Sequence, residues 1–320
     1  MKICTITCSN TDNYGARLQT YALAKYLQDQ GNDVSVIDYR PPYMNPSFRV
    51  FYWPGGSIKE WAKIFLRFPQ RIRSKKRHNS FVAFSKKHLP LTEKIYRNLQ
   101  DLRQDPPSAD VYIAGSDQIW NTFLPNGTDP AFYLDFGSKD IRRESYAASF
   151  ATSELRSGTE DFVRNNLARF DKFSVREESG LAILERLGIR DGVRDDDPVF
   201  LLSIEKWLEL ADGTGEGEEY ILVYDFFSDP VLKQKAKGIA RSRQLRIFAI
   251  CPFKQHYADK NFTTYGPESF LSLIMNATLV VTNSYHAIAF CAIFQREYLY
   301  VPRPDGLNER IEDLIQRLPK

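Results

Sequence analysis

Residues 1–39 read "MKICTITCSNTDNYGARLQTYALAKYLQDQGNDVSVIDY". "KICTITC" is a short apolar run of strand type. Leu18, Ala22, Tyr26 and Leu27 then recur at helical spacing, and "DVSVIDY" returns to the strand pattern. A strand, a helix and a second strand in that order make a βαβ unit, which predicts a parallel sheet with helices on its faces. The alternation resumes at "VYIAGS", "ESYAAS", "KFSVR" and "GVRDDDP", with a helix "EESGLAILERLG" between the last two. It restarts at "YILVYDF", "LRIFAIC", "TLVVTNS" and "YLYVPR". The fold class is therefore α/β. "DPVFLLSIEKW" reads as a connector ending in a short helix, and "ADGTGEGEE" as a glycine- and acid-rich loop. Two domains are expected, residues 1–197 and 198–302, with residues 303–320 forming a terminal helix that packs back on the first. In such sheets ligands bind beyond the carboxyl ends of the strands, so a cleft between the two domains is the expected site.

The totals agree with this reading. At 320 residues, 43% hydrophobic and 26% charged, the chain has the composition of a globular protein with more than one core. A net charge of +3 argues against a dedicated nucleic-acid binder. Cys4 and Cys8 fall in one strand pattern, where four residues span roughly 13 Å. A disulfide needs Cα atoms within about 7 Å, so these two do not pair. No CxxC spacing occurs, and no metal site is expected. The apolar run "AIAFCAIF" falls well short of the roughly 18 residues that span a bilayer. With no leader pattern at Met1, a cytoplasmic location is expected.

One segment breaks the alternation. Residues 59–88 hold ten Lys or Arg against the single acid Glu60, and Trp61, Ile64, Phe65, Phe68 and Ile72 recur at helical spacing among them. Two readings stand: a helix at the inner face of a membrane, docking on anionic headgroups or a lipid-linked acceptor, or an insertion whose apolar stripe meets the domain. Pro69 is expected to interrupt it.

Four stretches put polar groups at strand ends. In "SNTDNYGARLQTYAL", Gly15 allows close approach of the chain, and the helix that follows offers free N–H groups. Asp12 or Asn13 equally serves as its cap. No phosphate-loop or dinucleotide fingerprint is present. In "AGSDQIWN", Ser116 and Asp117 could cap, yet Gln118, Trp120 and Asn121 add a ring and two amides suited to a sugar. In "KFSVREESG", Arg176 offers a fork for a carboxylate or phosphate, or an ion pair to a neighbouring acid. In "TLVVTNSYHAIAF", His286 opens an apolar helix beside Thr282, Asn283 and Ser284, where an anion or a proton transfer could be served.

Together and in order, "DNYGARLQTYAL", "GSDQIWN", "SVREESG" with "DDDPVFLL", "GPESFLSLIMNATLVVTNSYHAIAF" and the tail "NERIEDLI" resemble the polysaccharide pyruvyl transferase family, in the branch carrying the GSDQ-W-N motif. The segment 41–95, an insertion in the first domain, is the least similar part. The resemblance implies two Rossmann-like domains facing a central cleft, similar to the GT-B glycosyltransferase architecture. It implies transfer of pyruvate from phosphoenolpyruvate onto two hydroxyls of a sugar, as a ketal, in bacterial surface-polysaccharide biosynthesis. No cofactor is implied beyond phosphoenolpyruvate as co-substrate.

His286 is assigned to the donor as acid or phosphate binder, and Asp117 to the acceptor as base or hydroxyl ligand. Donor contacts are expected from Arg176, Asn283, Ser284 and Lys254, and acceptor contacts from Asn13, Tyr14, Gln118, Trp120 and Asn121. Many members carry an arginine two residues before the histidine; Ser284 stands there, and Lys254 or Arg303 could supply the charge. The rival readings are a glycosyltransferase of the same architecture using a nucleotide sugar, and a non-catalytic saccharide-binding member of the family.

Overall fold

The computed structural model describes residues 1–44, 58–303, 305–306 and 308–318, those of 58–68 by backbone alone. The chain divides into two compact units. The first comprises Met1–Asn45, His88–Trp207 and Asp305–Lys320; the second comprises Pro46–Lys87 and Leu208–Pro304.

The opening of the first unit folds as its pattern demands. Strand β1 (Lys2–Ile6) leads through helix α1 (Tyr14–Asp29) to β2 (Asp33–Tyr39). Leu18 and Ala22 of α1 are fully buried against the sheet, the apolar stripe that fixes the helix on its face. Helix α2 (Ile58–His88), the bulk of which groups with the second unit, is followed by β3 (Leu91–Tyr96), helix α3 (Leu99–Gln104), β4 (Val111–Ala114) and β5 (Arg142–Ser145). These strands form one parallel sheet in the order β3-β2-β1-β4-β5. Helix α4 (Glu160–Leu167), β6 (Ser174–Val175), α5 (Glu178–Arg186) and β7 (Val193–Arg194) complete the unit, β6 and β7 pairing as a small sheet of their own. Single bridges join Asp117 to Ala148 and Ala148 to Val175, carrying the pairing on from β4 toward β6. Helix α6 (Ile204–Leu210) follows, matching the connector expected there.

The second unit repeats the scheme. It contains β8 (Tyr220–Tyr224), α7 (Pro230–Arg243), β9 (Arg246–Ala249), β10 (Lys260–Asn261), α8 (Pro267–Asn276), β11 (Leu279–Thr282), α9 (Tyr285–Ile293) and β12 (Tyr298–Tyr300). Its parallel sheet runs β10-β9-β8-β11-β12, the same order as the first. Both are doubly wound Rossmann-like sheets. In each the winding reverses beside the first strand, between β1 and β4 and between β8 and β11, and the loops leaving those two strands turn to opposite faces.

The terminal helix α10 (Glu309–Arg317) belongs to the first unit, with Ile311 and Leu314 buried. Its ion pairs run from Arg317 to Asp196 and from Asp313 to Arg194.

Two details differ from the sequence reading. The helix α2 runs through Pro69 rather than stopping there. Its later turns are anchored in the second unit: Phe81 and Phe84 are fully buried, the Arg77 guanidinium lies 4.8 Å from the Phe81 ring, and Ser80 Oγ donates to Thr264 O at 3.0 Å. Most of the basic stretch therefore groups with the second unit, not the first. The side chains of Trp61, Ile64, Phe65 and Phe68, on which the membrane reading rests, lie outside the described residues. Among the described residues no helix is long and apolar enough to cross a membrane.

All four cysteines are free and buried. Burial pushes the Cys4 thiol up to about 11 and the Cys251 thiol up to about 12. The neutral thiol is thus the folded form. Its contribution to stability is intact below the ordinary cysteine value and is lost as pH climbs toward these raised values. A thiol-exchange reagent at about pH 8 is expected to label fewer than one cysteine in the native chain and all four after denaturation. Rapid native labelling of Cys4 or Cys251 would contradict this burial.

Candidate functional site

At the first reversal, β1 ends in Thr7 and Cys8, and β4 ends in Gly115, Ser116 and Asp117. Gly115 has φ +131, and a Cβ there would stand 2.1 Å from the carbonyl oxygen of Tyr146, so only glycine fits. The turn is locked by buried polar groups. Thr7 Oγ1 donates to Ser116 O at 2.7 Å, Gln19 Nε2 donates to Thr7 Oγ1 at 3.1 Å, and Gln19 Oε1 accepts from Ser116 N at 3.2 Å. Ser116 Oγ donates to Ala147 O at 2.8 Å. Gln19 lies in the "DNYGARLQTYAL" stretch, so that motif serves to hold this turn.

The result is the placement of Asp117. Its φ is +68, a left-handed conformation that a non-glycine residue adopts at a cost. No helix follows for it to cap. Its half-buried carboxylate accepts no hydrogen bond from any described residue. Asp117 is thus a carboxylate in a sparsely populated conformation with no hydrogen-bond partner among the described residues.

Other predicted residues separate into three groups. Gln118 stands beside Asp117, and its amide oxygen, turned toward Arg310 of α10, accepts from both terminal guanidinium nitrogens at 2.6 and 2.8 Å. Asn13 is the cap of α1, its side chain accepting from Ala16 N at 3.2 Å. Asn121 is almost fully buried and accepts from Phe123 N at 3.1 Å, a turn brace behind Gln118.

Trp120 and Tyr14 correct the sequence reading. Both are fully buried and offer no surface to a sugar. Trp120 stacks on Tyr133 at 5.8 Å between ring centres, packs against Phe150 and Phe170, and donates from Nε1 to Phe132 O at 3.1 Å. It is the centre of the first core, and its indole N–H is satisfied there.

Arg176 is corrected as well. Its guanidinium is 1% exposed and ion-paired to Asp197 at 2.6 Å, with Glu177 at 3.7 Å. Asp197 also accepts from Val199 N at 3.1 Å. This internal pair of the first unit joins the end of β6 to the turn after β7. The alternative of an ion pair was the correct one, with Asp197 rather than Glu177 or Glu178 as the main partner.

At the second reversal, β8 ends at Asp225 and β11 at Thr282. Asp225 is fully buried and accepts from Phe227 N at 2.8 Å, Asp229 N at 2.7 Å and Asn283 Nδ2 at 2.9 Å. It therefore fixes the loop after one strand to the loop after the other. Thr282 Oγ1 donates to Tyr224 O at 2.8 Å and accepts from Ser284 N at 3.1 Å. Ser284 caps α9, accepting from Ala287 N at 3.5 Å. Buried Asn283 keeps its Oδ1 without a partner among the described residues. His286, on the first turn of α9, is 8% exposed and packs edge-to-face on Tyr285. Asn283, Ser284 and His286 lie together at the positive end of α9. Lys254 is exposed in the loop after β9, and no described residue bonds it.

Two acids were missed. Asp225 carries the signal that picked out Asp117, an acid directly after an apolar strand, in "YILVYDF". Asp129 accepts from the hydroxyls of Tyr39 at 2.7 Å and Tyr43 at 2.5 Å. After burial itself, Asp117 and then Asp129 raise the Cys8 pKa, so both acids flank the carboxyl end of β1. No local pattern marks Asp129. Among the described residues no group of His, Cys, Asp and Glu could hold a metal ion.

The sequence matches the family model for polysaccharide pyruvyl transferase over residues 13–301. The chain belongs to this family. It is accordingly a member of a transferase family whose acceptors are saccharides. A search of curated proteins finds no match. Among solved structures it is similar to UDP-GlcNAc 2-epimerase from Methanocaldococcus jannaschii, at 12% identity and TM-score 0.49, over 100% of this chain and 94% of that one. It is similar too to UDP-N-acetylglucosamine 2-epimerase from Rickettsia bellii, at 11% identity and TM-score 0.49, over 99% and 86%. A glycosyltransferase from Streptomyces sp. SF2575, SsfS6, follows at 11% identity and TM-score 0.41, over 99% and 90%.

The two acids at the reversals have opposite roles, and stability separates them. Asp225→Asn sets an amide N–H against buried donors and is expected to lower unfolding free energy by about 2–4 kcal/mol. Asp117→Asn keeps a residue that tolerates positive φ and breaks no bond, so a change within about 0.5 kcal/mol is expected. Denaturant titration gives both values, and the reverse ranking would overturn the assignment.

Proposed function

We propose that the chain transfers pyruvate from phosphoenolpyruvate to two hydroxyls of a saccharide, forming a cyclic ketal, with the donor at the β8/β11 reversal and the acceptor at the β1/β4 reversal. The observation that carries this reading is the pairing of opposite chemistries on one strand topology. The reversal in the second unit presents a helix N-terminus with a histidine; that in the first presents an unpartnered carboxylate. Family membership supplies the reaction.

The donor carries a phosphate and a carboxylate. The first turn of α9, capped by Ser284, offers N–H groups and the positive end of its dipole to such an anion. Asn283, held by Asp225, borders that turn. With serine two residues before His286, no side-chain cation stands in the turn itself; Lys254, or Arg303, whose guanidinium lies 5.1 Å from the Phe227 ring in the loop after β8, supplies one. His286 acts as the acid that protonates the terminal enol carbon, leaving the adjacent carbon cation-like and open to a hydroxyl.

The first sugar hydroxyl forms its C–O bond there and gives its proton to Asp117. The second hydroxyl attacks the same carbon as the bond to phosphate breaks, and its proton leaves with the phosphate. The methyl group keeps the proton from His286 and phosphate the second hydroxyl's; Asp117 then releases the first hydroxyl's proton to solvent and His286 regains one from it, so the reaction balances without a redox partner. Gln118, fixed by Arg310, borders Asp117 and takes the role of hydroxyl ligand. A lipid-linked acceptor at a membrane surface would meet the basic face of α2, whose exposed cations include Arg73, Lys75 and Lys76.

Ligand that binds only the folded state stabilises it, by about 2.7 kcal/mol at 100 times its dissociation constant, and so raises the melting temperature. Phosphoenolpyruvate is expected to shift the wild type and Asp117→Asn alike, and to leave His286→Ala unshifted. A full shift in His286→Ala would remove the donor from α9, and a shift by nucleotide sugars in place of phosphoenolpyruvate would overturn the reaction.

A further inference from the structure

A pocket of about 630 Å³ opens in the first unit at the end of the sheet opposite Asp117. It is bounded by Arg103 at the end of α3, by the loop leading into β5 with Asp135, Phe136 and Lys139, by Arg143 of β5 and by Arg169 beyond α4. Its volume lies in the range of roughly 300–1,000 Å³ that holds small organic ligands.

Its charge is unbalanced. Four cations line it and Asp135 is the one acid in its described lining. Both oxygens of Asp135 are already engaged, Oδ2 by Arg103 at 2.5 Å and Oδ1 by Arg169. Arg103 lies in the last turn of α3 and Arg169 just beyond α4, where a cation complements the dipole, so those two have a structural reason to be there. Lys139 and Arg143 do not. Lys139 is exposed and makes no ion pair or hydrogen bond with a described residue.

Arg143 is buried, and its guanidinium meets no carboxylate. It donates to the carbonyls of Leu134 at 3.0 Å, Ile141 at 2.8 Å, Phe136 at 2.7 Å and Ser138 at 3.0 Å. Burial first, and then the like charge of Arg169, lowers its pKa.

The wall is also preformed. Those four carbonyls tie the loop 134–141 to one buried side chain. Gly137, at φ +75, presses so closely on Tyr112 that a Cβ would lie 2.7 Å from its ring. A preformed concavity with four cations against one acid, Lys139 among them without a described partner, carries a surplus positive charge that attracts clustered anionic oxygens.

We propose that this pocket is a second binding site, for a small organic molecule carrying two or more phosphate groups. The charge selects a polyanion over a single carboxylate. The volume leaves room for an organic part against Phe136. Because the pocket lies at the opposite end of the sheet from Asp117, its occupant is not the acceptor of the proposed transfer, and the site does not depend on that reading.

Calorimetric titration of the full chain with inorganic pyrophosphate, at about 0.1 M salt where exposed charges are screened beyond about 10 Å, tests it. Saturable one-to-one binding is expected, roughly tenfold tighter than inorganic phosphate. Lys139→Gln removes an exposed side chain without a partner, so folding is preserved and binding weakens roughly threefold. The double variant Lys139→Gln/Arg169→Gln weakens it by at least roughly tenfold. His286→Ala leaves it unchanged, which separates this site from the proposed donor site. Equal binding by the wild type and the double variant, loss of binding in His286→Ala, or no binding at millimolar pyrophosphate would each overturn the proposal.

Discussion

In a parallel sheet every strand ends at the same edge, and a helix must carry the chain back. Where winding reverses beside the first strand, two neighbouring loops diverge to opposite faces and leave a gap that no backbone fills. Both sheets here have that reversal, between β1 and β4 and between β8 and β11. Polar residues gather at those two gaps because the flanking strands β1, β4, β8 and β11 are buried along nearly all their length and carry mostly apolar side chains. The chemistry of the molecule follows from where the sheet leaves room for it.

Each gap is held open by a different means. In the first, Thr7, Gln19 and Ser116 form a closed set of buried hydrogen bonds across β1, α1 and β4, and Asp117 emerges with its carboxylate unused. In the second the acid itself is the brace. Asp225 takes three hydrogen bonds and ties Asn283 in place, so that Ser284 and His286 begin α9 at a fixed position. The two acids follow strands on opposite sides of their gaps, Asp117 after β4 and Asp225 after β8, and are held differently. Asp225, buried with three donors, is structural, while half-buried Asp117 accepts none from the described residues.

This difference also marks the limit of what the sequence reveals. The α/β class, the opening βαβ unit and the grouping of Asn283, Ser284 and His286 are legible because period, turn chemistry and strand ends are local properties. Trp120 is not. Within "GSDQIWN" its neighbours are polar, and it reads as a platform for a sugar. What buries it are Phe132, Tyr133, Phe150 and Phe170, brought in from later in the chain. Arg176 was ambiguous for the same reason, since Asp197 becomes its partner only when the end of β6 meets the turn after β7. The link from Gln118 to Arg310 spans most of the chain and carries no local signal. Pro69 shows the converse error, a local rule overridden because the later turns of α2 are anchored by Phe81 and Phe84.

The central claim is that the chain makes a ketal from an enol phosphate and a diol. Its most direct test supplies phosphoenolpyruvate isotopically labelled at the central carbon, together with a panel of bacterial surface saccharides, and follows the label by carbon NMR. The account predicts that the label moves to a quaternary ketal carbon on the saccharide, with release of phosphate that requires the saccharide. Label that stays in phosphoenolpyruvate, or that appears only as free pyruvate whatever saccharide is present, would contradict it.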